Sequence, residues 1–141
     1  MTLDISAINW IAVLAGAAIY FILGAAWYSP ILFARPWQEA IGWDESRAQP
    51  QTNPLTYVVP AILYVLAGIA TAMLAAATGT DTLGEGITLG LVTGIGYALA
   101  MVGVEATFDP NKPKPVPWFL ITMAYHLIGF VVLAVVIALW R

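Results

Sequence analysis

The chain has 141 residues, 61 % of them hydrophobic and only 9 % charged, with a formal net charge of −3. Soluble domains carry roughly a quarter charged residues, so this composition cannot coat a globule with a water-facing surface, and the apolar side chains must face lipid. The acidic balance excludes nucleic acid as a partner, the lack of cysteine excludes disulfides and thiol chemistry, and a single histidine, His126, leaves no usual zinc set.

The N-terminal stretch "MTLDISAINW" holds an aspartate and no lysine or arginine, which is not the positive start of a cleavable signal peptide. A first retained span is therefore expected over about 8–28. Trp10 and Trp27 bracket it, roughly 25 Å apart on a helix, close to the thickness of a hydrocarbon core. At its end, "GAAWYSPILFARPW" changes character. Trp27 and Tyr28 read as the aromatic belt of a bilayer face, Ser29-Pro30 as a break, and Arg35 as a partner for headgroup phosphates. Phe33, Trp37 and Ile41 recur at four-residue spacing, so 30–42 reads as a short amphipathic segment lying along the surface. Trp27, Tyr28, Arg35 and Trp37 are thus candidate lipid or partner contacts. The polar run "DESRAQPQTN", 44–53, is a linker.

Three more spans follow. Asn53-Pro54 opens the second, 54–78, and Thr78-Gly79 closes it, while Pro60 is expected to kink it or mark a late start. Thr82 and Glu85 form a capping-box pattern before the third, 85–108. The loop "DPNKPKPVP" is proline-stiffened, and Pro117 opens the fourth span, 118–140, bracketed by Trp118 and Trp140. The expected fold is all-α: an integral membrane four-helix bundle forming one domain. Arg35, Arg47, Lys112 and Lys114 lie on one side against Arg141 on the other, which puts the 29–53 loop in the cytoplasm and both termini outside.

Helices in lipid associate through close backbone approach. Gly86, Gly90 and Gly94 form a small-residue stripe on span three, and Gly68, Ala72 and Ala76 form one on span two. A tight turn joins these spans, so the stripes are expected to pack on each other, with self-association between protomers as the alternative. Two titratable groups fall within spans, Glu105 and His126, and intramembrane ionisable residues are functional suspects. Taking 100° per residue, Glu105 falls near the glycine face, and Tyr97 lies at the depth of His126. Glu105, His126 and Tyr97 are therefore a candidate proton or ion relay. The alternative is structural: Glu105 pairing with Lys112 or Lys114, and His126 satisfying a backbone carbonyl. No catalytic triad, phosphate loop or metal-ligand spacing is present, so an enzyme is not expected, nor is a cofactor.

Asn9-Trp10, Gly24, Trp27-Tyr28-Ser29-Pro30, Phe33 and Trp37, together with "GWD" and "AYHLIGFVVLAVVIALW", resemble an uncharacterised family of small bacterial integral membrane proteins, the domain of unknown function numbered seventeen sixty-one. The likeness covers nearly the whole chain. It implies a four-span protein of the bacterial inner membrane and carries no activity or catalytic residue. The functional expectation is a non-enzymatic partner subunit or self-associating scaffold, with membrane lipid, a membrane-protein partner or a second copy as its contacts. The alternative is a small oligomeric transporter or channel moving protons or a solute past Glu105 and His126.

Overall fold

The computed structural model describes residues 5–44 and 53–140. Most of the expected linker, with Arg47 and Arg141, lies outside the described residues. Five helices carry the fold: α1 (Trp10–Trp27), α2 (Ala34–Ala40), α3 (Leu55–Thr78), α4 (Leu83–Phe108) and α5 (Pro115–Leu139). Four of them, all but α2, are long and apolar enough to cross a membrane. No strand occurs among the described residues.

The helix ends follow local chemistry. Asn9 caps α1, its side-chain oxygen accepting from the N–H groups of Ile11 and Ala12. Asn53 does the same for Leu55 at the start of α3. Gly79 ends α3 in the left-handed region at φ 73°, a conformation that favours glycine. Thr82 and Glu85 complete the expected capping box. Pro60 stands in the second turn of α3, and the helix runs on through it.

The bundle is organised around α5, which touches every other helix. Its buried residues, from Trp118 and Tyr125 through Leu133 to Ala138, cover more than half of its circumference, and Leu120, Ile128 and Leu139 mark the side left exposed. The expected pairing of the second and third spans is corrected here. The glycine stripe of α4 lies on α5 instead: a Cβ at Gly90 would stand 2.4 Å from the Val131 Cα, and one at Gly86 2.9 Å from the Val135 Cα. Gly68 of α3 meets Val13 of α1. Backbone proximity along the chain did not decide the pairing; α5 offered each stripe, or the helix beside it, a closer surface.

Six residues of α4, Gly94–Leu99, form a π-helical stretch. A wider turn sets everything beyond it back by about one position around the axis. The inward face therefore runs Gly86, Gly90, Gly94 and then Ala98, Val102 and Ala106. A regular helix would have brought in positions 97, 101 and 105. Tyr97 and Met101 are exposed instead, at 66 % and 74 %. This offset overturns the expectation that Glu105 shares the glycine face.

Candidate functional site

Both ends of α1 are tied to α5. At one end the Asn9 side-chain amide donates to the Trp140 carbonyl at 2.6 Å, answering one of the orphan acceptors of a helix C-terminus. At the other, the Trp27 indole donates to the Ile121 carbonyl at 3.1 Å. Trp27 and Tyr28 are half-buried and pack on the core, and Trp37 of α2 packs beside Trp118 and Ala40. Of the four residues assigned to lipid or partner contact, only Arg35 is exposed. The outward side chains around the break are Ile31, Leu32 and Trp43. The reason is packing: the turn at 28–33, which holds Pro30, turns the chain back so that α2 docks on the start of α5, where the Lys114 N–H meets the Ala40 carbonyl.

Between the two anchors lies an aromatic hydrogen-bonded cluster. Tyr20 of α1 is 1 % exposed. Its hydroxyl stands 2.7 Å from His126 Nδ1 and 3.4 Å from the His126 carbonyl. The Tyr20 ring stacks on Tyr64 of α3, with centroids 4.3 Å apart. Tyr125 donates to the Tyr64 hydroxyl at 2.7 Å and faces the Tyr20 carbonyl at 3.3 Å. Two glycines make this possible. A Cβ on Gly129 would sit 2.0 Å from the Tyr20 ring, and one on Gly24 2.7 Å from the Tyr125 hydroxyl.

The Tyr20–His126 pair admits two proton arrangements with the same heavy atoms. With the proton on Nε2, the Tyr20 hydroxyl donates to Nδ1. With it on Nδ1, the ring donates to Tyr20 and the hydroxyl turns to the carbonyl. Either keeps the Tyr20 hydroxyl and His126 Nδ1 paired, as a low-dielectric site demands. The cluster brings together His126 with Tyr20, Tyr64 and Tyr125, and it leaves out Glu105 and Tyr97. Sequence reasoning did not single out these tyrosines, whose hydroxyls meet only across three helices. The available signal was their depth: Tyr20 lies about 10 Å inside Trp27 along the helix, where a hydroxyl needs a partner.

Glu105 belongs to a second group, at the α4–α5 turn. Its side chain is 58 % exposed and meets Lys112 Nζ at 3.0 Å. Lys112 also binds Asp109 and lies 4.1 Å above the Trp118 ring, with its own side chain only 7 % exposed. The hydrogen bond from Lys112 holds the Asp109 carboxyl below the usual range, helped by the Asn111 N–H. Burial pulls the Lys112 ammonium down, but its bonds to Asp109 and Glu105 outweigh that and leave it raised. A cation satisfied by two carboxylates and a ring is a clasp closing the turn. Nearby, Lys114 reaches Glu39 of α2 at 3.2 Å.

A family model described as protein of unknown function, DUF1761, matches residues 11–138. The chain belongs to this family. The DUF1761 match runs from the second residue of α1 to the last turn of α5, so it includes all four long helices, the tyrosine–histidine cluster and the Lys112 clasp. No curated protein and no solved structure matches the chain significantly.

Proposed function

We propose that the chain is a non-enzymatic, multi-pass subunit of the bacterial inner membrane that acts by holding another membrane component at its lipid-facing surface. The observation that carries this reading is the position of α5. It occupies the axis of the bundle and contacts every other helix, so a single protomer is a close-packed body and its outer surface is what it offers. Gly86, Gly90 and Gly94 are already occupied by α5. Association with a partner or a second copy therefore uses the outward faces of the four long helices, the exposed side of α5 at Leu120 and Ile128 included. The excess of Arg35, Arg47, Lys112 and Lys114 over Arg141 supports a cytoplasmic α2 and external termini. Crosslinking in native membranes, followed by mild-detergent purification, should give a larger band or a co-purifying membrane protein. A strictly monomeric product with nothing attached would overturn the reading.

A second reading, an oligomeric proton or solute transporter, is favoured by one observation: His126 is held by Tyr20 within the bundle at membrane depth. Its route would pass the Tyr20–His126 pair. His126→Ala would then abolish a flux in reconstituted vesicles with folding intact, and Glu105→Gln would leave it near normal. Absence of flux in the wild-type protein removes this reading.

A further inference from the structure

We propose that the seam between α1 and α3 is a binding groove for one glycerolipid, standing upright in the leaflet on the α2 side. The inference needs only the membrane-spanning fold and does not depend on the subunit reading.

Two adjoining hollows open along this seam. One, of about 450 Å³, is lined by Tyr28, Thr56, Tyr57, Tyr64 and Tyr125. The other, of about 370 Å³, is lined by Leu14, Ala18, Ile22, Ala61 and Val65. Phe21 forms part of both walls. The lining positions recur at helical spacing on each helix, 14, 18, 21, 25 and 28 on α1 and 57, 61 and 64/65 on α3, so the hollows follow one antiparallel seam. From Leu14 to Tyr28 the seam is about 21 Å long, more than the ~15 Å of one hydrocarbon leaflet.

Its chemistry is ordered along that length. The hydroxyls all belong to the hollow nearer Tyr28 and the start of α3, with Tyr64 and Tyr125 at its inner end, and the deeper hollow is lined, among the described residues, by apolar side chains. Tyr64 receives the Tyr125 proton, and its own proton has no acceptor among the described residues. Tyr57, 57 % exposed, stands at the mouth. Neutral hydroxyl donors above a hydrocarbon slot match the ester carbonyls and acyl chain of a glycerolipid. Among the described residues the lining holds no lysine or arginine, and hydroxyls alone hold a free phosphate less well than they hold an ester carbonyl whose acyl chain fills the slot beneath.

The test is native mass spectrometry of the full chain released from nanodiscs of phosphatidylethanolamine and phosphatidylglycerol. It is paired with photolabelling by a phosphatidylethanolamine that carries a diazirine in its acyl chain. One lipid per protomer should persist through delipidation, with labels concentrated on α1 and α3 peptides around Phe21 and Val65. Ala61→Trp should lower retention by about tenfold or more, and Tyr57→Phe with Tyr64→Phe by roughly three- to tenfold. Val104→Trp, on an exposed face of α4, should leave retention unchanged. The inference is overturned if Ala61→Trp retains lipid as the wild type does, or if wild-type labels spread evenly over all four spans. Capture of a protein rather than lipid by a photoreactive residue at position 25 overturns it too.

Discussion

Gly90→Ala separates a glycine face used inside the bundle from one used between protomers. The added Cβ would stand 2.4 Å from the Val131 Cα, 2.8 Å from the Phe130 carbonyl oxygen and 2.9 Å from the Val131 nitrogen. All three are backbone atoms, so no side chain can swing aside. Ordinary contact begins at 3.4 Å, and α4 and α5 must therefore part by about 1 Å, a gap that forfeits up to half of each dispersion contact along the seam. Overpacking of this kind costs about 1–3 kcal/mol. In water, alanine would recover nearly 1 kcal/mol of helix propensity. In a bilayer the dissociated helices remain helical, so that recovery falls away and the full loss should appear. Gly84→Ala is the control: nothing lies within 4 Å of its Cβ, and its effect should stay within about 0.5 kcal/mol. Reversible unfolding in mixed micelles with increasing dodecyl sulfate measures both variants. Wild-type stability in Gly90→Ala, or loss of an oligomer with the protomer fold unchanged, would refute the packing argument.

Tyr20→Phe removes the hydroxyl at His126 and should lower stability by about 1 kcal/mol in the same assay; a double-mutant cycle with His126→Ala should show coupling, and additive losses would sink the pair. Asn9→Asp should keep the α1 cap yet set a carboxylate against the Trp140 carbonyl, so spin labels at the start of α1 and end of α5 should move apart. Asn9→Ala loses the cap as well and should cost about 1–2 kcal/mol. The Lys112 clasp has a defined pH window. Asp109 is depressed, so its contribution is present above the unfolded value near 3.9 and is lost as pH falls through its lower folded value. Lys112 is raised, so its contribution is present below about 10.4 and is lost as pH rises through its higher folded value. Hydrogen exchange of the 109–114 turn should thus be flat between about pH 5 and 9 once corrected for intrinsic rates. A transition near pH 6–7 would assign the control to another group.

Local chemistry wrote the helix inventory plainly into the chain. Runs of about twenty apolar residues, the Thr82–Glu85 box and the glycine at 79 each depend on neighbours a few positions away, and each stands where expected. The site was only half legible. His126 was visible because an ionisable group in a span demands an explanation. Its partner Tyr20 lies 106 residues earlier, and nothing local in the sequence joins the two. Glu105 was misplaced for a definite reason: its position was projected along a regular helix, and the π turn at Gly94–Leu99 rotates it away from α5. Trp27, Tyr28 and Trp37 share that difficulty. Their amphipathic rings suit a bilayer face and a half-buried interhelical seat equally well.

Hydropathy and end-signals, which act over one helix at a time, determined that this chain has four membrane-length helices and marked several of their ends, although the last helix begins at Pro115, two residues before the proline expected to open it. Which faces meet was decided only by assembly. Lipid gives apolar side chains no preference among apolar neighbours, so the pairing rests on steric fit between distant segments: Gly90 against Val131, Gly129 against the Tyr20 ring, Gly24 against the Tyr125 hydroxyl. That fit exists only once α5 stands at the centre.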